Sequence, residues 1–428
     1  MENRSDRLVP RGRPSGQVGR QIVNILVVQS ELGVLRGGGE NFTRNLFSAF
    51  ARRGHQVTAT FVADAQGKYP IQLPVEIKPC PLAGYWSRKF GQDVLSSVAA
   101  WLPEGLGCRT TWNRIQEALC WRTVRWHDRR FAHRVETEFD GRWNQYDAVF
   151  VHGNALLAGR IAQVCPTILR LPGPVSPDLA PVLNTIQSVC ANGDALLHLR
   201  GFLGDHATEL PIGLDGELFK PGSSPQRERL GWTEADWVIG YVGRLAYVKG
   251  VDLLADAFKK LQAHVPHARL LMIGAGEEEG KLRELLKDEL ATGVVHMELD
   301  VPHERLGDWY RAMDVFVMPS RYENFSNAVL EALACGVPFL GSNVGGNPRL
   351  SEAYGGRLFE AGSVEALNYA LSDMMGRSRQ EEVERSLQWE RLSAVRGWDA
   401  SAKRLEELLQ RCFGDPIISV STVGSPKC

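Results

Sequence analysis

What most constrains this chain is a rhythm that occurs twice: short apolar runs alternate with amphipathic stretches of helical period. In the first pass Ile22–Val28 reads as a buried strand and Glu40–Arg53 as a helix with Phe42, Leu46, Phe47 and Phe50 on one face. Gly54-His55 breaks it, and Gln56–Val62, Asp147–His152 and Thr167–Leu171 follow as strands. The second pass runs through a strand at Trp237–Val242, a loop at Gly243–Gly250, a helix at Val251–Leu261, a strand at Arg269–Ile273 and a helix at Lys281–Leu290. It continues with a strand at Val315–Pro319, a helix at Ala328–Cys335 stopped by Gly336, a strand at Val337–Leu340 and a helix at Ser363–Met375. Strand–helix alternation buries its apolar faces as parallel sheets covered by helices, so the expectation is an α/β protein of two doubly wound halves joined near residues 205–215. Such sheets bind ligands at the carboxyl ends of their strands, and two of them place the natural site in the cleft between.

Length and charge narrow the function. A chain of 428 residues suits two domains rather than one core. Its 49 basic and 50 acidic side chains leave a formal charge of −1, which gives no whole-chain electrostatic case for nucleic acid. No run reaches the roughly 18–20 apolar residues of a membrane-spanning helix, and Ile22–Val28 is too short for a signal-peptide core. Eight cysteines without a Cys-x-x-Cys pair read as reduced thiols of a cytoplasmic protein.

Residues 1–20 are rich in Arg, Pro and Gly and read as a flexible arm, with Leu8-Val9-Pro10-Arg11-Gly12 similar to a protease-cleavage linker. The expected domains are 21–207 and 208–390, then a helix over 391–412 and a tail over 413–428. An insert over about 85–143 holds six of the 11 tryptophans, with Arg122, Arg125, Arg129, Arg130 and Arg134 close together on a helix. Trp and Arg in this density suit peripheral contact with an anionic membrane face or a lipid-linked partner; the plainer alternative packs Trp on the core and leaves Arg outside.

Several familiar motifs are missing, including a Gly-x-x-x-x-Gly-Lys phosphate loop, a Gly-x-Ser-x-Gly nucleophile turn and an Asp-x-Asp metal pair. Gly274–Gly280 follows a strand as a dinucleotide loop does, but its spacing is off by one and Glu277, Glu278 and Glu279 would repel a pyrophosphate. Three features at strand ends remain. Gly37, Gly38 and Gly39 join the first strand to the first helix, where bare backbone and a helix start can receive a ligand. The loop from Gly243 to Gly250 carries Arg244 and Lys249, a guanidinium and an ammonium suited to a diphosphate. In Glu323-Asn324-Phe325-Ser326-Asn327, three polar residues can cap a helix starting near Ser326 or Asn327, and Glu331 lies inside that helix among apolar neighbours. Were all eight steps from Glu323 to Glu331 helical, the two carboxylates would stand about 12 Å apart, the reach of a nucleotide sugar.

At these residues the chain strongly resembles the family 4 glycosyltransferases, retaining enzymes with the two-Rossmann-domain GT-B architecture. The resemblance covers roughly residues 22–64 and 147–412. It includes Arg53-Gly54-His55-Gln56-Val57, Pro211-Ile212-Gly213-Leu214-Asp215, the Gly243–Gly250 loop, Tyr310–Ser320, the Glu-x7-Glu block Glu323–Glu331 and Trp398-Asp399. It implies two Rossmann-like domains facing a cleft, an N-terminal acceptor domain and a C-terminal donor domain, with a last helix returning to the first. It implies that Arg244 and Lys249 hold the diphosphate, Glu331 the ribose hydroxyls and Glu323 the transferred sugar. Gly37–Gly39 would close over the donor, Gly243 would line the same loop, and the backbone of Asn324, Phe325, Ser326 and Asn327 would touch sugar and phosphate. The resemblance implies transfer of a sugar from a nucleotide-diphosphate sugar to a glycan, lipid-linked or other hydroxyl acceptor, as in polysaccharide biosynthesis, with no metal or other cofactor.

Two positions depart from the family pattern. Pro172, in Arg170-Leu171-Pro172-Gly173-Pro174, stands where many members carry a histidine near the sugar, which makes His152 the nearest substitute on the sugar or acceptor side. Arg349, in Gly345-Gly346-Asn347-Pro348-Arg349, stands where members often carry Glu. Two alternatives stay open at this level: another GT-B enzyme on nucleotide sugars, such as an epimerase or glucan synthase, and a catalytically silent GT-B binding protein.

Overall fold

A computed structural model describes residues 22–35, 37–83, 126–299, 301–375 and 397–413. The expected alternation closes into two parallel sheets. The first contains β1 (Asn24–Val28), β2 (Gln56–Val62), β3 (Ile77–Leu82), β4 (Ala148–His152), β5 (Thr167–Arg170), β6 (Ser188–Ala191) and β7 (Ala207–Glu209), in the order β3-β2-β1-β4-β5-β6-β7. The second contains β8 (Trp237–Val242), β9 (Ala268–Ile273), β10 (Val295–Glu298), β11 (Val315–Met318), β12 (Phe339–Ser342) and β13 (Arg357–Phe359), in the order β10-β9-β8-β11-β12-β13. Each order reverses beside the first strand of its sheet, at β1/β4 and β8/β11, which opens a crevice at the strand ends.

The strands read as continuous apolar runs because both faces are buried. Ile25 and Val27 enter one core layer with Phe42, Phe47 and Phe50, while Leu26 and Val28 enter the opposite layer with Val149 and Leu169. In the second sheet Ile239 and Tyr241 face one layer and Val238 and Val242 the other. This two-sided burial is what helices on both faces of a parallel sheet require.

Five helices position the cleft: α1 (Gly38–Arg52), α2 (Gly193–Leu203), α3 (Val251–Gln262), α4 (Asn327–Ala334) and α5 (Trp398–Phe413). The last returns to the first domain, where Ala402, Leu405, Leu408 and Leu409 join the core layer of α1. The Arg53-Gly54-His55 motif explains its grip. Arg53 donates to Glu406 through Nε (2.7 Å) and Nη2 (2.9 Å) and to Asp399 through Nη1, while His55 Nε2 donates to Glu406 at 3.0 Å. His55 Nδ1 accepts the Val23 amide at 3.2 Å, which leaves Nε2 to face Glu406.

Several expectations shift. The single helix over Lys281–Leu290 is two short ones, Glu279–Leu285 and Lys287–Ala291, interrupted at Leu286. The strand expected at Val337–Leu340 starts at Phe339, after Pro338. A boundary at residue 207 falls inside the first sheet, since β7 spans Ala207–Glu209, and the connection to the second sheet begins after it. The Trp/Arg-rich insert lies outside the described residues up to 125, including Arg122 and Arg125. From 126 to 139 it is helical, with Phe131, Ala132, Val135 and Phe139 in the first core and Arg129, Arg130 and Arg134 exposed. The arm over 1–20 and the tail from 414 also lie outside.

Candidate active site

The Gly243–Gly250 loop leaves β8 at the crevice and is tied on both sides. Leu245 donates its amide to Ala275 O (3.0 Å) and accepts that of Glu278 (2.9 Å), so the Gly274–Gly280 segment buttresses this loop. Arg321 N donates to Val248 O (2.8 Å), joining the loop to the segment after β11. Arg321 then grips Asp252 of α3 through two 2.7 Å bonds. These ties bring together two residues 74 apart in sequence: Lys249 Nζ donates to Glu323 Oε2 at 2.7 Å. Glu323 is buried, and Ser320 Oγ adds a longer contact of 3.4 Å. Arg244 is on the same loop as Lys249. Its carbonyl accepts from Tyr241 OH (2.8 Å), whereas its guanidinium is exposed and has no carboxylate partner among the described residues.

The Glu323 backbone is set by Gly345. At φ +55° this glycine lies flat on the Glu323 carbonyl, where any Cβ would collide with it. Ser326 caps α4, accepting the Val329 amide at 3.4 Å. Helical geometry therefore begins at Asn327, and only the second half of the Glu323–Glu331 span is helical. Glu331 emerges one turn into α4, with Oε2 accepting from Tyr310 OH (2.8 Å) and Oε1 meeting His303 Nε2 (3.0 Å). Burial works against a charge on His303, but the Glu331 carboxylate outweighs it and raises the imidazole pKa above its ordinary value. Glu331 and His303 line a small pocket with Asn327, Asp215 and, from α1, Asn41 and Asn45.

The first domain supplies the facing wall. A Cβ on Gly38 would sit 3.8 Å from Asn327 Nδ2, so the start of α1 stands opposite the start of α4. Gly39 rests on His152, whose Nε2 would be 3.1 Å from an added Cβ. His152 is held from both sides: Arg170 Nη1 donates to Nε2 (3.3 Å), and Nδ1 meets Thr43 Oγ1 (3.2 Å), which in turn donates to Gly39 O. Arg170 is buried over the Phe42 ring at 3.8 Å, and desolvation lowers its pKa to about 10. Gly37 precedes α1 without a side-chain cap, and Glu40 in its first turn accepts from Gln29 Nε2 at 3.0 Å.

The structure thus gathers Lys249, Glu323, Ser326, Asn327 and the Gly37–Gly39 turn around one cleft, with Arg244 exposed on the loop that carries Lys249 and Glu331 one turn deeper. His152 lies beneath the glycine turn. Asn324 is turned away, with both ends of its amide on the first domain, and Phe325 packs against the cores of both domains. Pro172 reaches the cleft edge through its carbonyl, and Arg349 is exposed on the helix after the Gly345 loop. Sequence reasoning did not single out His303 and gave no role to Arg170 or Tyr310, although both open quoted segments, because each acts across a long sequence gap. Among the described residues no group of three or more His, Cys, Asp or Glu side chains could hold a metal ion, and no helix is long and apolar enough to cross a membrane.

Comparison with known proteins agrees with this geometry. Residues 223–386 match the family model "Glycosyl transferases group 1". The chain is 35% identical over 175 residues to D-inositol 3-phosphate glycosyltransferase 1 of Catenulispora acidiphila, covering 39% of this chain and 41% of that protein. It is 29% identical over 228 residues to the GDP-mannose-dependent monoacylated alpha-(1-6)-phosphatidylinositol monomannoside mannosyltransferase of Corynebacterium glutamicum, covering 50% and 59%. It therefore spans about half the length of these curated relatives. Among solved structures, sucrose-phosphate synthase from Thermosynechococcus elongatus superposes with a TM-score of 0.69 at 19% identity, over 92% of this chain and 99% of that one. Anabaena HepE in complex with UDP and glucose gives a TM-score of 0.64 at 17% identity, over 91% and 99%. The fold is GT-B, and the match to the glycosyl transferases group 1 model lies in its second half.

Proposed function

We propose that this chain is a retaining glycosyltransferase that moves a sugar from a nucleotide-diphosphate sugar to a hydroxyl acceptor. The observation that carries the reading is the Lys249–Glu323 pair at 2.7 Å, with the exposed Arg244 on the same loop after β8. Departure of a nucleoside diphosphate from an anomeric carbon leaves positive charge on the sugar and negative charge on the phosphate. Arg244, Lys249 and the amides at the start of α4 are preorganised for the phosphate. Glu323 holds Lys249 in place and offers its carboxylate to the sugar. Glu331, oriented by Tyr310 and His303, takes the ribose hydroxyls. No carboxylate or imidazole stands free as a general base among the described site residues, so the acceptor hydroxyl gives its proton to the departing phosphate oxygen as it attacks the same face. No metal or cofactor takes part in this scheme.

The acceptor is a glycan or lipid-linked hydroxyl bound by the first domain, beside His152 and the Gly37–Gly39 turn. The exposed Trp126, with Arg130 stacked 4.6 Å from its ring centroid and Arg129 and Arg134 exposed nearby, supports peripheral contact with a membrane surface. All five described cysteines are free, in keeping with work in the reducing cytoplasm.

The test is thermal stability with UDP, GDP and ADP and their sugar conjugates, wild type beside Glu331→Ala. A ligand at ~100 times its dissociation constant adds about 2.7 kcal/mol, a resolvable shift. A base-selective shift that the variant loses is the expected result. No shift with any nucleotide would sink the donor-site assignment.

A further inference from the structure

Asn324 occupies the second position of the Glu323–Glu331 block, next to the carboxylate assigned to the sugar, yet its side chain is spent on the opposite domain. Its Oδ1 accepts the amide of Ala195 at 2.9 Å, and its Nδ2 donates to the carbonyl of Pro172 at 2.8 Å. The first bond completes a helix that does not cap itself. Asn192, in the N-cap position of α2, makes no side-chain cap; its amide donates to Leu210 O (2.6 Å) and its Oδ1 meets Arg170 at 3.5 Å. The amide of Ala195, in the first turn of α2, would otherwise be an orphan donor, and a residue 129 positions away satisfies it.

The surroundings are shaped for this contact. Gly193 (φ +57°) and Gly346 close on the Asn324 carbonyl from the two domains, and a Cβ on Gly193 would fall 2.5 Å from that oxygen. Phe325 then packs against the core layers of both domains.

We infer that Asn324 is a positioning residue: by capping α2 and binding the Pro172 carbonyl, it latches the donor domain onto the acceptor domain and sets where Glu323 stands over the cleft. The inference rests on the donor-site reading for what closure achieves, but not for the contact itself. Two hydrogen bonds across the domain seam, one half-buried and one exposed, bias closed over open by roughly tenfold. Closure excludes water from a step that would otherwise leak to hydrolysis.

The decisive measurement is residue-resolved amide hydrogen exchange on the full chain, wild type beside Asn324→Ala, joined to UDP and GDP binding and to transfer kinetics. Expected in the variant are Ala195 exchange at least tenfold faster, an unchanged nucleoside-diphosphate dissociation constant and kcat down about tenfold. Hydrolysis of the donor should rise relative to transfer. Gly193→Ala, which blocks the same contact from the other domain, should reproduce the pattern if Asn324→Ala does not fold. Equal Ala195 exchange in wild type and Asn324→Ala would overturn the latch. So would faster exchange with an unchanged kcat. Should the wild type bind no nucleoside diphosphate, the donor-site reading fails while the exchange data still decide whether the contact exists.

Discussion

Glu406 offers the sharpest test of how the two domains are fastened. It is 4% exposed on α5 and receives two bonds from Arg53 and one from His55. Removing one member of a buried charge pair costs about 3–5 kcal/mol, because the other charge stays behind without its partner. In Glu406→Ala, Arg53 keeps both oxygens of Asp399 (2.8 and 2.9 Å), so the loss should fall at the lower end, about 3 kcal/mol. Asp399→Ala removes a carboxylate that is 72% exposed and should cost only about 0–1 kcal/mol. Replacing the buried pair together, Arg53→Met with Glu406→Leu, should recover most of the loss. Urea unfolding followed by circular dichroism and by tryptophan fluorescence gives these values, provided the denaturant slope stays constant across the variants. Acid adds a second signature. Burial opposes ionisation of Glu406, but the bonds from His55 and Arg53 outweigh it and hold its pKa below 4.5. A depressed folded pKa contributes stability in full above the unfolded value and loses it as pH falls through the folded one. Wild type should therefore lose its advantage over Glu406→Ala as the solution is acidified below pH 4.5. Were Glu406→Ala to match Asp399→Ala within about 0.5 kcal/mol, the buried network would not be what holds α5 to the first domain.

Two further outcomes follow from the donor side. Arg244→Ala should weaken nucleoside-diphosphate binding about 10- to 100-fold, the worth of charge-assisted bonds at about 1.5–3 kcal/mol. Calorimetric titration reads this, and the melting temperature of the unliganded variant should stay at the wild-type value, because the exposed guanidinium has no carboxylate partner among the described residues. His303→Gln keeps a donor for Glu331 but does not titrate. His303 faces Glu331, Glu304 and Asp215, and its raised pKa means that its charge contributes stability below 6.5 and loses it as pH rises through the folded value. Melting curves from roughly pH 6 to 8 should show wild type declining against the variant, and parallel curves would contradict the assigned pair.

How much of this was legible in the sequence follows from how local each signal is. β2 and β8 match the expected Gln56–Val62 and Trp237–Val242 because their apolar runs are bounded by breaks inside the same few residues. β6, β7 and β13 went unread: they are only three or four residues long, and their burial comes from neighbouring strands rather than from their own pattern. The site divides in the same way. Lys249 and Glu323 could be nominated separately, since each stands at a strand end, but their 2.7 Å contact depends on the Arg321 ties between two loops. His303 and Tyr310 gain meaning only once α4 is placed against them.

The Glu323–Asn327 segment shows where residue identity stops informing. Glu323 to Ser326 precede the regular part of α4, so successive side chains leave the backbone in different directions. Glu323 turns to Lys249, Asn324 to the first domain, Phe325 to the seam between two cores, and Ser326 back onto the helix it caps. A sequence block assigns all of them to one ligand; the geometry assigns them to four partners. Neighbouring residues can then fail in different ways, Glu323 through chemistry and Asn324 through closure. Measuring kcat and nucleotide affinity separately in the two variants distinguishes those failures, because a domain latch alters the first while leaving the second intact.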